Sequence, residues 1–263
     1  MKQPLNTNNI HPKKSLGQNF IQDKNFITKL SAFVKSDAYT HIFEIGPGLG
    51  ALTECLAKKK FKKLFLIEKD IKLYEVLKNR YLNRENILTI NCDALKYNYE
   101  QNANYGRTLI IGNLPFNVSS QLLINWIVNF NWPPFYNKMI LMFQKEVAER
   151  IVASHNQKKY GRLSVITQSR CSVKKIMNAP SHIFVPKPKV NGTILEFTPI
   201  SKYESVDIIK LQKIVKTSFE QRRKKIKTTL KDYNNILREL KINNNLRAEN
   251  LSVDDYCKLA SAI

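Results

Sequence analysis

A chain of 263 residues with 43% hydrophobic content can bury a substantial core and suits one large domain or two modest ones. Its 43 lysines and arginines against 21 acids, a net charge of +22, argue against an enzyme confined to small metabolites. They point to a polyanionic partner, nucleic acid before an anionic membrane surface. The excess is not one basic tail, because residues 201–263 carry +6 and residues 1–200 carry +16. Four scattered cysteines and four scattered histidines offer no C-x-x-C pair and no clustered ligands, so no metal site is expected and a reduced compartment is. The leader MKQPLNTNNIHPKK has no apolar core, and no apolar run reaches the ~18 residues of a membrane span. A cytoplasmic protein without membrane contact is expected.

In chain order, KSLGQNFIQDKNFITKLSAFV holds a helix from about Lys24. Short apolar runs and amphipathic stretches then alternate: HIFEIG as a strand, ALTECLAKK as a helix, KLFLIEKD as a strand, IKLYEVLKNRYL as a helix. NILTINCDA and TLIIGNLPF follow as strands, SQLLINWIVNF as a helix stopped by Pro133–Pro134, and KMILMFQKE as a fifth strand. Alternation at this spacing predicts a parallel, doubly wound α/β sheet. RLSVITQSRCSV and GTILEFTP read as two further strands, an antiparallel pair at the sheet edge. From about Val206 the pattern is wholly helical, which puts a domain boundary near residue 200: residues 1–200 and residues 201–263.

FEIGPGLGALTE, from Phe43 to Glu54, is a strand running through three glycines into a helix N-terminus, whose free N–H groups favour an electron-rich ligand. Gly46, Gly48 and Ala51 also satisfy the relaxed dinucleotide pattern, so this motif admits both a nicotinamide enzyme and an S-adenosylmethionine enzyme. Ligands of open parallel sheets bind beyond the carboxyl ends of the strands. Gly46, Glu68, Asp93 and Asn113 fall there, after strands one to four. Each has a plainer reading: Glu68 as a solvated strand-end carboxylate, Asp93 as a helix cap, Asn113 as a turn former. As an ordered set they describe a cofactor with a ribose and an adenine. Glu68 would accept from the ribose hydroxyls and Asp93 from the adenine amino group.

The strand-four stretch Asn113-Leu114-Pro115-Phe116 separates the two classes. Asn-x-Pro-aromatic resembles the signature of enzymes that methylate exocyclic amino groups. The N6 of adenine is a poor nucleophile, and an amide oxygen plus a main-chain carbonyl can accept both of its hydrogens and orient its lone pair. An aromatic ring can stack on a base drawn out of its helix. A dehydrogenase has no use for such a loop; the plain alternative is a rigid turn with a buried Phe.

These motifs, with KKSLGQNFIQD, IEKD, DAL, GNLPFNVS, FQKEVAERI, YGRLSV, FVPKPKV and FEQRRKKIKTTL, carry a resemblance that runs almost end to end. The chain is similar to the ribosomal RNA adenine N6,N6-dimethyltransferases, and within them to the small-subunit (16S) branch. The resemblance implies a Rossmann-like S-adenosylmethionine methyltransferase sheet followed by a small helical domain that docks RNA. It implies dimethylation of two adjacent adenosines in a hairpin near the 3′ end of small-subunit rRNA, by a monomer acting on immature small ribosomal subunits. Asn19 and Ile21 are implied to close over the methionine end of the cofactor, with Gly46 contacting it. Glu68 is implied on the ribose and Asp93 on the adenine. Asn113 and the Leu114 carbonyl would position the target amine between Phe116 and Phe184, although the residues alone read Phe184 as core. Arg222, Arg223 and Lys224, just past an apolar helical segment ending at Phe219, would bind phosphates rather than form a merely solvated face.

Two positions depart from the family pattern. Phe116 stands where Tyr is usual, and Val190-Asn191-Gly192 stands where Val-Asp-Ser is common. Two alternatives remain: a large-subunit rRNA adenine methylase, and a non-catalytic nucleic-acid-binding protein on the same fold. An intact Glu68, Asp93 and Asn113 set argues against the second.

Overall fold

The structure is a computed structural model that describes residues 12–13, 16–103 and 106–263. His11 and most of the basic leader, together with Lys14 and Ser15 of the KKSLGQNFIQD motif, lie outside the described residues. In chain order the elements are β1 (Phe20–Ile21), α1 (Lys24–Ala32), β2 (His41–Ile45), α2 (Ala51–Leu56), β3 (Lys63–Glu68), α3 (Ile71–Arg80) and β4 (Ile87–Asn91). Then come α4 (Glu100–Ala103), β5 (Thr108–Gly112), α5 (Ser119–Val128), β6 (Lys138–Gln144), α6 (Lys145–Val152), α7 (Arg162–Gln168) and β7 (Cys171–Ala179). The chain ends with β8 (Phe184–Val185), β9 (Gly192–Pro199), α8 (Ile208–Glu220), α9 (Ile226–Thr229), α10 (Asn234–Glu239) and α11 (Val253–Ser261). By contact, the chain divides into two compact units, one of residues up to 122, 135–145 and 175–196, the other of 123–134, 146–174 and 197–263.

The principal sheet has seven strands in the order β4-β3-β2-β5-β6-β9-β7. β4, β3, β2, β5 and β6 pair in parallel. The order runs outward from β2 through β3 to β4, then restarts on the other side of β2 with β5, so the topological switch lies between β2 and β5. Both faces of β2, β3, β5 and β6 are buried, which is why these strands read as continuous apolar runs, while the edge strand β4 is partly exposed. Ile42, Leu64, Leu66, Leu109, Ile111 and Ile140 point into an aliphatic core shared with Phe26, Ile27 and Leu30 of α1 and Leu52 and Leu56 of α2. Alternate residues face the other way, where Phe43 stacks on Phe65 at 4.6 Å, and the loop residues Tyr99 and Phe135 stack on each other at 5.3 Å. Separately, β1 and β8 form a short antiparallel ladder that pairs Phe20 with Val185 and Ile21 with Phe184.

One element differs from the sequence expectation. RLSVITQ is helix α7, and only Cys171 onward is strand. Leu163, Ser164, Val165, Ile166 and Thr167 are all buried, so the helix has no polar face to reveal a 3.6-residue period. The helix starts on a local bond, Gly161 N–H donating to Ser164 Oγ at 3.1 Å, and its end is tied to the end of α6, where Gln168 Nε2 donates to the Ile151 and Ala153 carbonyls. β7 and β9 are neighbours at the sheet edge as expected.

The second unit is organised around a buried guanidinium. Arg170 donates to the carbonyls of Tyr203 and Val206, each at 2.7 Å, and lies over the Trp132 ring. Its α8 buries Leu211, Ile214, Val215 and Ser218 at helical spacing, and α11 is capped by a Ser252–Asp255 box.

Gly112, opposite Ile45 at the switch, has no room for a side chain: a Cβ there would meet the Ile45 carbonyl oxygen at 2.5 Å. Gly112→Ala therefore forces two central strands apart and should lower the unfolding free energy by about 1–3 kcal/mol, the usual cost of overpacking. Urea unfolding checks this, and a midpoint equal to the parent's would show that the strands can shift freely.

Candidate active site

Parallel register brings the strand ends together. Ile45 pairs with Gly112 and Glu68 with Asn91, so the residues that follow β2, β3, β4 and β5 emerge at one edge beside the switch. A single cavity there is lined by Gly46, Glu68, Asp93 and Asn113, by Leu114 and Phe116, and by Asn19 and Ile21 from the chain before α1. Of the residues singled out by sequence for the cofactor and target amine, only Phe184 is absent from this lining. It is 1% exposed, packs in the aliphatic core, and stands behind Ile21, its register partner.

Glu68 is the electrostatic centre of the cavity. It is buried, yet Oε2 accepts from the Gly48 N–H at 3.1 Å and Oε1 from the Asp70 N–H at 2.9 Å. Burial raises its pKa, and the two amides pull it back in part. Each oxygen keeps a second lone pair, so the carboxylate can still accept from a diol. Gly48 makes this possible by its φ of +60°, with Phe20 so close that a Cβ would lie 3.0 Å from its ring. A buried acceptor facing a cavity between glycine loop and strand ends fits the ribose of a nucleoside cofactor.

Asp93 is held by two partners. Its Oδ1 accepts from the Leu95 N–H at 3.0 Å, the turn-capping bond expected of the plainer reading, and its Oδ2 pairs with Lys69 at 2.8 Å. Partial burial would raise its pKa, but the Lys69 and Leu95 bonds hold it below the ordinary value. At the opposite end of the cavity, Asn113 Nδ2 donates to the Asn19 carbonyl at 2.9 Å. That commits the donor end of the amide and leaves Oδ1 as an acceptor. Phe116 is only partly buried beside it.

Residues not singled out by sequence complete the site. Gln18 Nε2 reaches Asp70 Oδ2 at 3.1 Å, and Lys13 pairs with the same oxygen at 2.9 Å. Asp70 is the N-cap of α3, through the Lys72 N–H at 3.0 Å. Glu44 also lines the cavity; it is 2% exposed and accepts from Thr53 Oγ1 at 2.7 Å. Burial, assisted by the nearby Glu68 charge, pushes its pKa up to about 8 against the opposing Thr53 bond. At the departing Val190-Asn191-Gly192 stretch, Asn191 Oδ1 accepts from the Ser181 N–H at 2.9 Å, a bond that an aspartate there could equally accept. Gly192 sits where a Cβ would lie 3.1 Å from Met142 Sδ, too close for a side chain without a shift.

The three cations past α8 are exposed but not alike. Arg222 is engaged within its own unit: Nε donates to Glu249 Oε2 at 2.8 Å, and the guanidinium also donates to the Lys158 carbonyl. Arg223 and Lys224 follow it at the surface. Among the described residues no helix is long and apolar enough to cross a membrane.

A Rossmann-like sheet whose glycine loop, buried acid and Asn-x-Pro-Phe turn meet at the switch point defines the class: a methyltransferase fold. The family model for ribosomal RNA adenine dimethylases matches residues 9–263. Among curated relatives, the ribosomal RNA small subunit methyltransferase A of Ehrlichia ruminantium is 41% identical over 264 residues, covering 97% of this chain and 98% of the relative. Those of Pelagibacter ubique and Allorhizobium ampelinum are 38% and 36% identical, covering 95% and 100% of this chain and 96% and 97% of the relatives. A solved dimethyladenosine transferase from Plasmodium falciparum superposes with a TM-score of 0.79 at 24% identity, covering 91% of this chain and 95% of that one. The 23S rRNA methyltransferase ErmE gives 0.68 at 18%, covering 92% and 98%, a likeness of fold alone. The chain belongs to the ribosomal RNA adenine dimethylase family.

The Glu44 carboxyl makes a pH prediction. Its folded pKa lies above the unfolded value, so the native state holds a proton that the unfolded chain has released between about pH 4.5 and about 8. Stability from this group is present below that window and lost as pH rises through it. Glu44→Gln, which keeps the shape and the Thr53 partner, should therefore flatten the fall in thermal midpoint across the window. Parallel pH profiles for parent and variant would show that Glu44 titrates in the native state as it does in the unfolded chain.

Proposed function

We propose that this protein uses S-adenosylmethionine to dimethylate N6 of two adjacent adenosines in a hairpin near the 3′ end of small-subunit ribosomal RNA. It does so as a cytoplasmic monomer during maturation of the small ribosomal subunit. The observation that carries the reading is the convergence of Glu68, Asp93, Asn113 and Phe116 on one cavity at the switch point. The relatives' printed names support the substrate class. In this reading residues 1–200 hold the chemistry and residues 201–263 help dock RNA.

S-adenosylmethionine, when bound, supplies an electrophilic methyl group. Glu68 and Asp93 would hold its ribose and adenine, with Gly46, Asn19 and Ile21 closing the methionine end. The chain's own part at the target is orientation. Asn113 Oδ1 and the Leu114 carbonyl accept the two hydrogens of N6, which turns the nitrogen lone pair into the cavity. Phe116 supplies a face for the base, and a hydroxyl is not needed for stacking. No strong base is required, since the proton on N6 becomes acidic once the nitrogen carries a fourth substituent and passes to water. Two adenosines need four transfers, so the pocket also admits the monomethyl adenosines.

Single-turnover methylation of small-subunit rRNA and of immature subunits with tritiated S-adenosylmethionine, followed by nucleoside analysis, tests this directly. Asn113→Ala should slow transfer by ~10²–10³, as for the loss of a positioned polar contact. Phe116→Ala should lose ~1–3 kcal/mol of stacking, and Phe116→Tyr should stay within about tenfold of the parent. Transfer by Phe116→Ala at the parental rate would make this side chain packing rather than a base platform. Absence of dimethyladenosine from every RNA would remove the function itself.

For RNA docking, Arg222 is set aside because its loss would also free Glu249. The pair Arg223→Ala and Lys224→Ala should weaken RNA binding and reduce its log–log salt slope by ~0.7–0.9 per lost phosphate contact, with cofactor affinity unchanged. A salt slope identical to the parent's would leave these two cations as a solvated surface.

A further inference from the structure

One wall of the cavity is a strap, residues 16–21. Three attachments hold it. At its far end Phe20 and Ile21 pair with Val185 and Phe184, and the Gln22 N–H donates to the Ile183 carbonyl at 2.9 Å. In the middle the Asn19 carbonyl receives Asn113 Nδ2 at 2.9 Å. At the near end Gln18 Nε2 donates to Asp70 Oδ2 at 3.1 Å, Lys13 pairs with that oxygen at 2.9 Å, and Gln18 Oε1 accepts the Lys13 N–H at 2.7 Å, which closes a ring of three residues.

Capping α3 needs only one oxygen of Asp70, the Oδ1 that accepts from Lys72. The second oxygen, on a residue only 4% exposed, is given entirely to a segment 52 positions away in sequence. Asp70 also donates its own N–H to Glu68 Oε1 at 2.9 Å. An amide has one donor end and one acceptor end, and turning Asn113 over would set its oxygen against the Asn19 carbonyl. The height of the strap therefore selects which end of the Asn113 amide is left for the target.

We propose that Asp70 is a positioning residue for methyl transfer. Through Gln18 it fixes the Asn19 carbonyl, and through that carbonyl it fixes the amide of Asn113, so that the carboxylate pole of the cavity and the amine-recognising pole are mechanically one. The inference rests on the role given to Asn113 in the proposed function. It adds three residues, Asp70, Gln18 and Lys13, that touch neither the base nor the amine.

The test separates this role from helix capping. Asp70→Asn keeps an acceptor for the cap but turns the other atom into a donor facing two donors. Gln18→Leu leaves Asp70 and its cap intact and removes the same contact. Both should slow single-turnover methylation at saturating cofactor and RNA by tenfold or more. Both should speed hydrogen exchange at the strap amides, residues 16–22, in the cofactor-free protein. The swap Asp70→Asn with Gln18→Glu exchanges donor and acceptor across the contact and should bring both quantities back to within about threefold of the parent. In an Asn113→Ala background, Asp70→Asn should have no further effect on rate. Unchanged exchange and rate in Asp70→Asn would reduce Asp70 to a cap, and faster exchange with a parental rate would sever the strap from Asn113. Failure of the swap to restore either quantity would equally overturn the proposal. If the parent methylates no RNA, the proposed function falls, and exchange in Asp70→Asn, Gln18→Leu and the swap still decides whether the clasp exists.

Discussion

Most of the site depends on a carboxylate taken out of water and kept there by two backbone amides. Glu68 ends a central parallel strand, where burial penalises its charge, and the Gly48 and Asp70 N–H groups offset that penalty. Each bond fixes a different loop: the Gly48 bond holds the turn between β2 and α2, and the Asp70 bond holds the entry to α3. Asp70 in turn carries Gln18 and Lys13. A chain of short polar contacts thus runs from the end of one strand to the segment before α1, and from there to Asn113. Remove the carboxylate and two loops lose a common anchor at once.

The buried acids give this basic protein a local field opposite to its overall charge. Glu44 and Glu68 both lie at the cavity, and the Glu68 carboxyl helps to hold the Glu44 pKa up. The two are not equivalent. Glu68 receives two backbone donors, while Glu44 receives one hydroxyl and is the more completely buried, so its proton is retained to about pH 8. Burial raises the pKa of both, and the two backbone donors oppose that rise at Glu68 as the Thr53 hydroxyl opposes it at Glu44.

Positive charge is likewise unequal in what it does. With 43 lysines and arginines, several cations are structural: Arg170 is buried against carbonyls and a tryptophan ring, and Arg222 ties Glu249 to the Lys158 carbonyl. Those groups are spent on the fold. The remainder raise the surface potential that a polyanion meets, which is why a count of charges reports the partner's sign but not the residues that touch it.

What the sequence determined by itself was whatever short-range patterning can encode. The alternation of apolar runs and amphipathic helices specified the parallel sheet, and the glycine turn, Glu68, Asp93 and Asn113 were legible because strand ends in such a sheet converge at one edge. The departures Phe116 and Asn191-Gly192 were visible as letters. Tertiary structure alone decided the rest. α7 was hidden because a helix buried on all sides loses its period, so Leu163, Val165 and Ile166 read as strand. The ring of Lys13, Gln18 and Asp70, and the bond from Asn113 to the Asn19 carbonyl 94 positions away, leave no mark in local composition. Phe184 is buried behind Ile21 rather than on the cavity wall, because a two-residue ladder between β1 and β8 sets its register. Such contacts join residues whose separation in the chain carries no period, and only the closed fold brings them within hydrogen-bonding distance.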